Sequence, residues 1–81
     1  MNVTVKLFAR ARDLAGTDRV DLDVADAGSV RDLKRSLADR YPQLSPLVSS
    51  MLVAVGNEYA VDDAPLLPGV ELACFPPVSG G

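Results

Sequence analysis

Chemistry has few places to reside in this sequence. There is no histidine and a single cysteine, Cys74, so neither a cluster of metal ligands nor a disulfide within the chain can be assembled. The acidic pair Asp62 and Asp63 has no third ligand nearby and reads as a solvated loop. Arg10 and Arg12 could steer an acidic partner or meet a nucleotide phosphate, against the simpler reading of solvated turn residues. No catalytic base can be named. What remains is the stretch FPPVSGG, Phe75 to Gly81, which closes on a diglycine behind a double proline. The reactive group it offers is the α-carboxylate of Gly81.

Such a carboxylate, with a pKa of about 3.3 to 3.7, is an anion near neutral pH and a poor electrophile. It needs activation before it can carry anything. Glycine suits the task because, without a Cβ, Gly80 and Gly81 crowd neither an approaching nucleophile nor the walls of a narrow channel. At roughly 3.3 Å per residue the stretch from Phe75 through Val78 and Ser79 to Gly81 reaches about 20 Å. Pro76 and Pro77 favour extended polyproline geometry, which stiffens its base. The plain alternatives are a frayed terminus and a proline pair that merely ends an edge strand.

Composition removes several function classes. With 48% hydrophobic and 23% charged residues, the 81-residue chain is too apolar for disorder and is expected to form one domain with one modest core. The longest apolar run, Met51 to Val55, falls far short of the roughly 20 residues that span a membrane. The start, MNVTVKLFARARD, lacks the order of a secretory signal, so a cytoplasmic location is expected. A net charge of −3 with scattered basic residues leaves no stripe for a phosphate backbone, and nucleic acid is not an expected partner.

The elements that must position the tail follow from periodicity. NVTVKLF alternates, with Val3, Val5 and Leu7 on one face and Asn2, Thr4, Lys6 and Phe8 on the other, and VDLDV alternates again after turn chemistry in ARDLAGTDR. The period then changes to about 3.6, with Val30, Leu33, Leu37 and Tyr41 on one stripe. Ser29 is the expected N-cap, paired with Asp32, and Pro42 should stop the helix near Arg40. QLSPLVSS reads as a loop or short turn, with Leu44 and Leu47 tucked beneath the helix. MLVAV reads as a short strand, Glu58 to Val61 as a shorter one, and Pro68–Gly69 as a tight turn before a last strand, VELACF. In that strand Val70, Leu72 and Cys74 share one face and Glu71, Ala73 and Phe75 the other. On the inward face, Cys74 reads as a buried, inert thiol before a redox one.

Strand, strand, helix, strand, short strand, strand is the plan of an α+β, β-grasp or ubiquitin-like domain. The expectation is a mixed sheet of four to five strands with one helix packed on one face. The domain is expected over residues 1–75, and an extended Gly-Gly tail over 76–81.

Three stretches resemble a known family, the small, sulfur-carrying subunit of molybdopterin synthase: LFARARDLAGTD, AVGNEY and, above all, PGVELACFPPVSGG. A terminal diglycine alone is shared with ubiquitin-like modifiers and the thiamine sulfur carrier; the whole FPPVSGG is far more specific. Cys74 departs from the family, which often has an aromatic or aliphatic residue there. The resemblance implies that an ATP-using, E1-like enzyme adenylates Gly81, that a sulfur donor displaces AMP to leave a thiocarboxylate, and that this delivers sulfur to a pterin precursor. It also implies that the large subunit of the synthase holds that precursor and receives the tail. This chain would then bind no cofactor and have no catalytic site of its own. A sulfur carrier for thiamine or another metabolite, and a ubiquitin-like protein modifier, are the alternative readings.

The pleat adds a docking surface. Phe8 and Phe75 both fall opposite the inward residues of their strands, so if the first and last strands are neighbours they form an exposed apolar patch at the root of the tail. Tyr59, at an apolar position of the family pattern, either extends this patch or half-packs on the sheet. The residues expected to meet a partner are therefore Phe8, Tyr59, Phe75, Pro76, Pro77, Val78 and Ser79, with Gly80 and Gly81 carrying the chemistry.

Overall fold

The computed structural model describes residues 1–76 of the chain. The first alternating stretch forms β1 (Asn2–Leu7) and the second β2 (Arg19–Asp23), antiparallel, with Val5 opposite Val20 and Val3 opposite Leu22. Val5, Leu7, Val20 and Leu22 are buried, while Asp21 and Asp23 stay in water, as a pleat with one wet face requires.

Between these strands the segment expected to be all turn forms a short helix, α1 (Ala9–Ala15). Its seven residues are too few to develop a readable helical stripe. Alanine, arginine and leucine are nevertheless good helix formers, and Ala11 is fully buried. Gly16 ends the helix in the left-handed region at φ 77°, its N–H donating to the Arg12 carbonyl at 2.9 Å.

The long helix α2 (Val30–Arg40) carries the expected stripe, with Val30, Leu33 and Leu37 fully buried and Tyr41 half-buried just beyond its end. At its start the Asp32 carboxylate accepts the Ser29 backbone N–H at 2.9 Å and the Ser29 hydroxyl at 3.3 Å. The backbone bond is the main reason that the Asp32 carboxyl lies below its usual pKa. The expected loop after Pro42 is helical instead: a 3₁₀ turn, Pro42–Leu44, runs into α3 (Ser45–Val48). Both prolines sit in the first turn of their element, where a missing N–H costs nothing, so Pro42, which stops α2, also opens the next turn, and Pro46 opens α3. Leu44 and Val48 are buried and Leu47 is half-buried.

β3 (Leu52–Val55) and β4 (Glu58–Ala60) form a hairpin, and β5 (Leu72–Phe75) follows the Pro68–Gly69 turn, with Gly69 left-handed at φ 76°. One sheet results, in the order β2-β1-β5-β3-β4, with β5 parallel to β1 and antiparallel to β3. This is the mixed five-stranded sheet of an α+β β-grasp domain. The expected single helix is the principal one of three helical segments, joined by the shorter α1 and α3.

The loop before β5 is clamped to the start of α2. The Val30 N–H donates to the Ala64 carbonyl, the Arg31 N–H to Asp62 and the Leu66 N–H to Gly28, each at 2.9 Å, so amides that a helix start leaves orphaned are satisfied. Asp62 and Asp63, expected as a solvated pair, each meet a cation on α2: Lys34 Nζ lies 2.9 Å from Asp62, and an Arg31 nitrogen 2.6 Å from Asp63. The Lys34 side chain is only 11% exposed. Its stem is packed while its ammonium reaches the loop.

Candidate functional site

The strand that runs into Pro76 lies in the middle of the sheet. β5 is the third of five strands, and its alternation sends Leu72 and Cys74 into the core and Ala73 and Phe75 to the opposite face. Pro76, half-buried, has no N–H with which to continue the ladder. The expectations for Pro77, Val78, Ser79, Gly80 and Gly81 lie outside the described residues.

At this exit three aromatic rings gather. Phe8 continues β1 in extended geometry, and its ring stacks on Phe75 with centroids 4.7 Å apart and planes 10° from parallel. Tyr59 meets the same Phe75 edge-on at 6.0 Å and 76° and is itself 70% exposed, so it lies beside the two phenylalanines and not half-packed in the sheet. Sequence reasoning missed a fourth member. Leu52 stands opposite Phe75 in the β3–β5 ladder and is 42% exposed. The signal was present inside MLVAV: Met51 and Val53 are buried, so the residue between them faces out. Among the described residues, Phe8, Leu52 and Tyr59 are three of the five exposed large apolar side chains, and all belong to this patch. Together with Phe75 they form one exposed apolar patch, the kind of feature that single scattered apolar residues do not make.

The backbone is strained at the same place. Ala9, directly after Phe8, has φ 53°, a left-handed conformation that alanine adopts at a cost of roughly 1–2 kcal/mol. It turns the chain from β1 into α1 while Phe8 stays extended beside Phe75.

Charge borders the patch along β1. Lys6 Nζ lies 3.3 Å from a Glu71 carboxylate oxygen. Arg10 and Arg12 sit on α1 and not in a turn, with Arg12 Nε 4.0 Å from Asp13. Cys74 is fully buried, and burial pushes its thiol up to about 12, so it stays a neutral thiol in the core. Among the described residues no helix is long and apolar enough to cross a membrane.

Known proteins resemble this chain in sequence and in fold. The ThiS family matches residues 5–81. The chain is 38% identical over 82 residues to the molybdopterin synthase sulfur carrier subunit of Escherichia coli (strain K12), covering 98% of this chain and 99% of that one. It is 33% identical over 81 residues to the subunit of the same name from Arabidopsis thaliana, covering 100% and 84%. Among solved structures, that of SAMP1, the small archaeal modifier protein 1 of Haloferax volcanii, superposes with a TM-score of 0.85 at 32% identity and complete coverage of both chains. Matched from Val5 to its last residue and similar end to end to sulfur carrier subunits of molybdopterin synthase, this chain belongs to the ThiS family.

Proposed function

We propose that this chain is the sulfur carrier of a molybdopterin synthase, working in the cytoplasm with Gly81 as its reactive residue. The observation that carries the reading is the aromatic patch of Phe8, Tyr59 and Phe75 at the root of the tail, in a chain of this family. An apolar surface beside a tail ending in Gly80 and Gly81 suits a protein whose end must be handed into a partner's site.

The chemistry starts from a carboxylate. A Gly81 oxygen attacks the α-phosphorus of ATP held by an E1-like adenylating partner, pyrophosphate leaves, and the mixed anhydride makes the carbonyl an electrophile. Sulfur at the sulfide level then attacks that carbonyl, the acyl–phosphate bond breaks, and AMP leaves a thiocarboxylate behind. In the large subunit that sulfur is transferred to the pterin precursor, and water restores the carboxylate. ATP, pterin and catalytic side chains belong to the partners, and this chain contributes positioning and a docking surface. Val78 and Ser79 extend the tail beyond Pro76 and Pro77.

Intact mass of the protein purified from a host making its activating enzyme tests the reading. A thiocarboxylate replaces one carboxylate oxygen by sulfur, a gain of about 16 Da. If only the free acid is ever found, under conditions that load the E. coli relative, the proposal fails.

The likeness to a small archaeal modifier protein supports a second reading, conjugation of Gly81 to target lysines. Lys34 is buried in its pair with Asp62, which leaves Lys6, half-exposed beside Glu71, as the lysine through which chains could grow. Isopeptide-linked products in the same cells are the outcome that this reading requires.

A further inference from the structure

The chain is acidic overall, yet its basic residues are unevenly placed. Four of its eight basic residues, Lys6, Arg10, Arg12 and Arg19, lie between positions 6 and 19, with only two of its eleven acidic ones. β1, α1 and the start of β2 bring three of these cations to one groove of about 240 Å³, lined by Lys6, Leu7, Phe8, Arg12, Asp18 and Arg19. Arg10 and Arg19 have no ion-pair partner among the described residues, and Arg12 has only its chain neighbour Asp13 at 4.0 Å. Phe8 is at once a wall of this groove and half of the stack with Phe75.

We infer that the groove receives an acidic, extended segment of the large subunit, its carboxylates meeting Arg12 and Arg19 while the apolar patch is covered. The inference rests on the proposed function and adds to it the chemistry of the partner at the border of the patch. Two features favour a protein carboxylate over a free phosphate. Arg12 and Arg19 are exposed side chains on two separate elements, with no buried donor to cradle a small anion, and the groove is continuous with the apolar docking surface. The other four basic residues lie on α2, where Arg31 and Lys34 are paired with Asp63 and Asp62, so the cations beside the aromatic patch favour docking of an acidic partner on the Phe8 side.

The test is association of the large subunit with the full chain, by stopped flow at about 50 and 300 mM salt, where exposed charges are screened to very different degrees. The variants are Arg12→Glu with Arg19→Glu, and, as a control of equal charge change on the opposite side of the domain, Arg35→Glu with Arg40→Glu. Thermal unfolding checks that each is folded. The expected result is an association rate about tenfold lower, with a flattened salt dependence, for the first pair only. Equal slowing by both pairs reduces the effect to net charge and overturns the inference, as does no slowing by either. Slowed adenylation with unchanged binding of the large subunit assigns the groove to another partner and overturns it too. If the large subunit does not bind the unaltered chain at all, the proposed function itself falls, and the two failures are thereby distinguished.

Discussion

Phe8 and Phe75 stack nearly face to face, with centroids 4.7 Å apart, although they come from opposite ends of the chain. The contact follows from strand order. β1 and β5 are parallel neighbours with Leu7 beside Cys74, which carries the next residue of each strand to the same end and the same face of the sheet. One buried pair therefore sets an exposed one, and the exposed one stands where the tail begins.

Truncating these rings separates docking from folding. Phe75→Ala should weaken binding of the large subunit by about 2 kcal/mol or more, roughly 30-fold in Kd, because a central aromatic anchor is lost. Stability should fall by only about 1 kcal/mol, the stacking contribution of a partly exposed pair. Titration calorimetry and thermal unfolding of Phe8→Ala and Phe75→Ala read the two effects apart. Unchanged affinity in both variants would remove the patch from the interface.

Ala9 tests whether local strain maintains the patch. Ala9→Gly removes a left-handed penalty of roughly 1–2 kcal/mol and adds about 0.5–1 kcal/mol of unfolded-state entropy, so the melting temperature should hold or rise slightly. Ala9→Val should lower stability by about 1–3 kcal/mol, since a β-branched residue resists this conformation more strongly. Denaturant titration of both decides it. A glycine variant less stable than the parent by more than about 1 kcal/mol would mean that the methyl packs.

The loop clamp should depend on one of its two ion pairs. Asp62→Asn leaves the mostly buried Lys34 ammonium without its partner and should cost about 1–3 kcal/mol, less than a fully buried pair because Asp62 is itself half exposed. Lys34→Met in that background should recover most of the loss, whereas Asp63→Asn, facing exposed Arg31, should matter little. Chemical denaturation of the set, with the double variant closing the cycle, provides the measurement.

Cys74 gives a pH signature. Its folded pKa, near 12, lies above the usual 9.0 because burial disfavours the thiolate. The native state holds the proton more tightly than the unfolded chain, so this contribution to stability is complete below about pH 9 and is lost as pH rises toward 12. The native protein should accordingly resist a thiol reagent at pH 8 and react at once in denaturant. Rapid labelling of the native state would place the sulfur at the surface.

How much was legible in the sequence depended on how local its cause was. Alternation in NVTVKLF and VDLDV, the stripe of Val30, Leu33 and Leu37, the stop before Pro42 and the Pro68–Gly69 turn are set by residues a few positions apart, and all of them are realised. The place of the two phenylalanines was legible for the same reason: each is marked by residue type and by the parity of its strand. α1 and α3 escaped because seven and four residues hold too little periodicity, and because proline reads as a breaker until its place in a first turn is known. Leu52 was hidden in a run apolar on both faces, where only the register against Phe75 says which side meets water. Lys34 looked like any helix-surface lysine until Asp62 came to it from a distant loop. The sequence by itself determined the elements and the residues able to do chemistry, since those depend on neighbours along the chain. The tertiary structure decided which of them meet, because the stack, the clamp and the basic groove join residues that only strand order and long-range packing bring together.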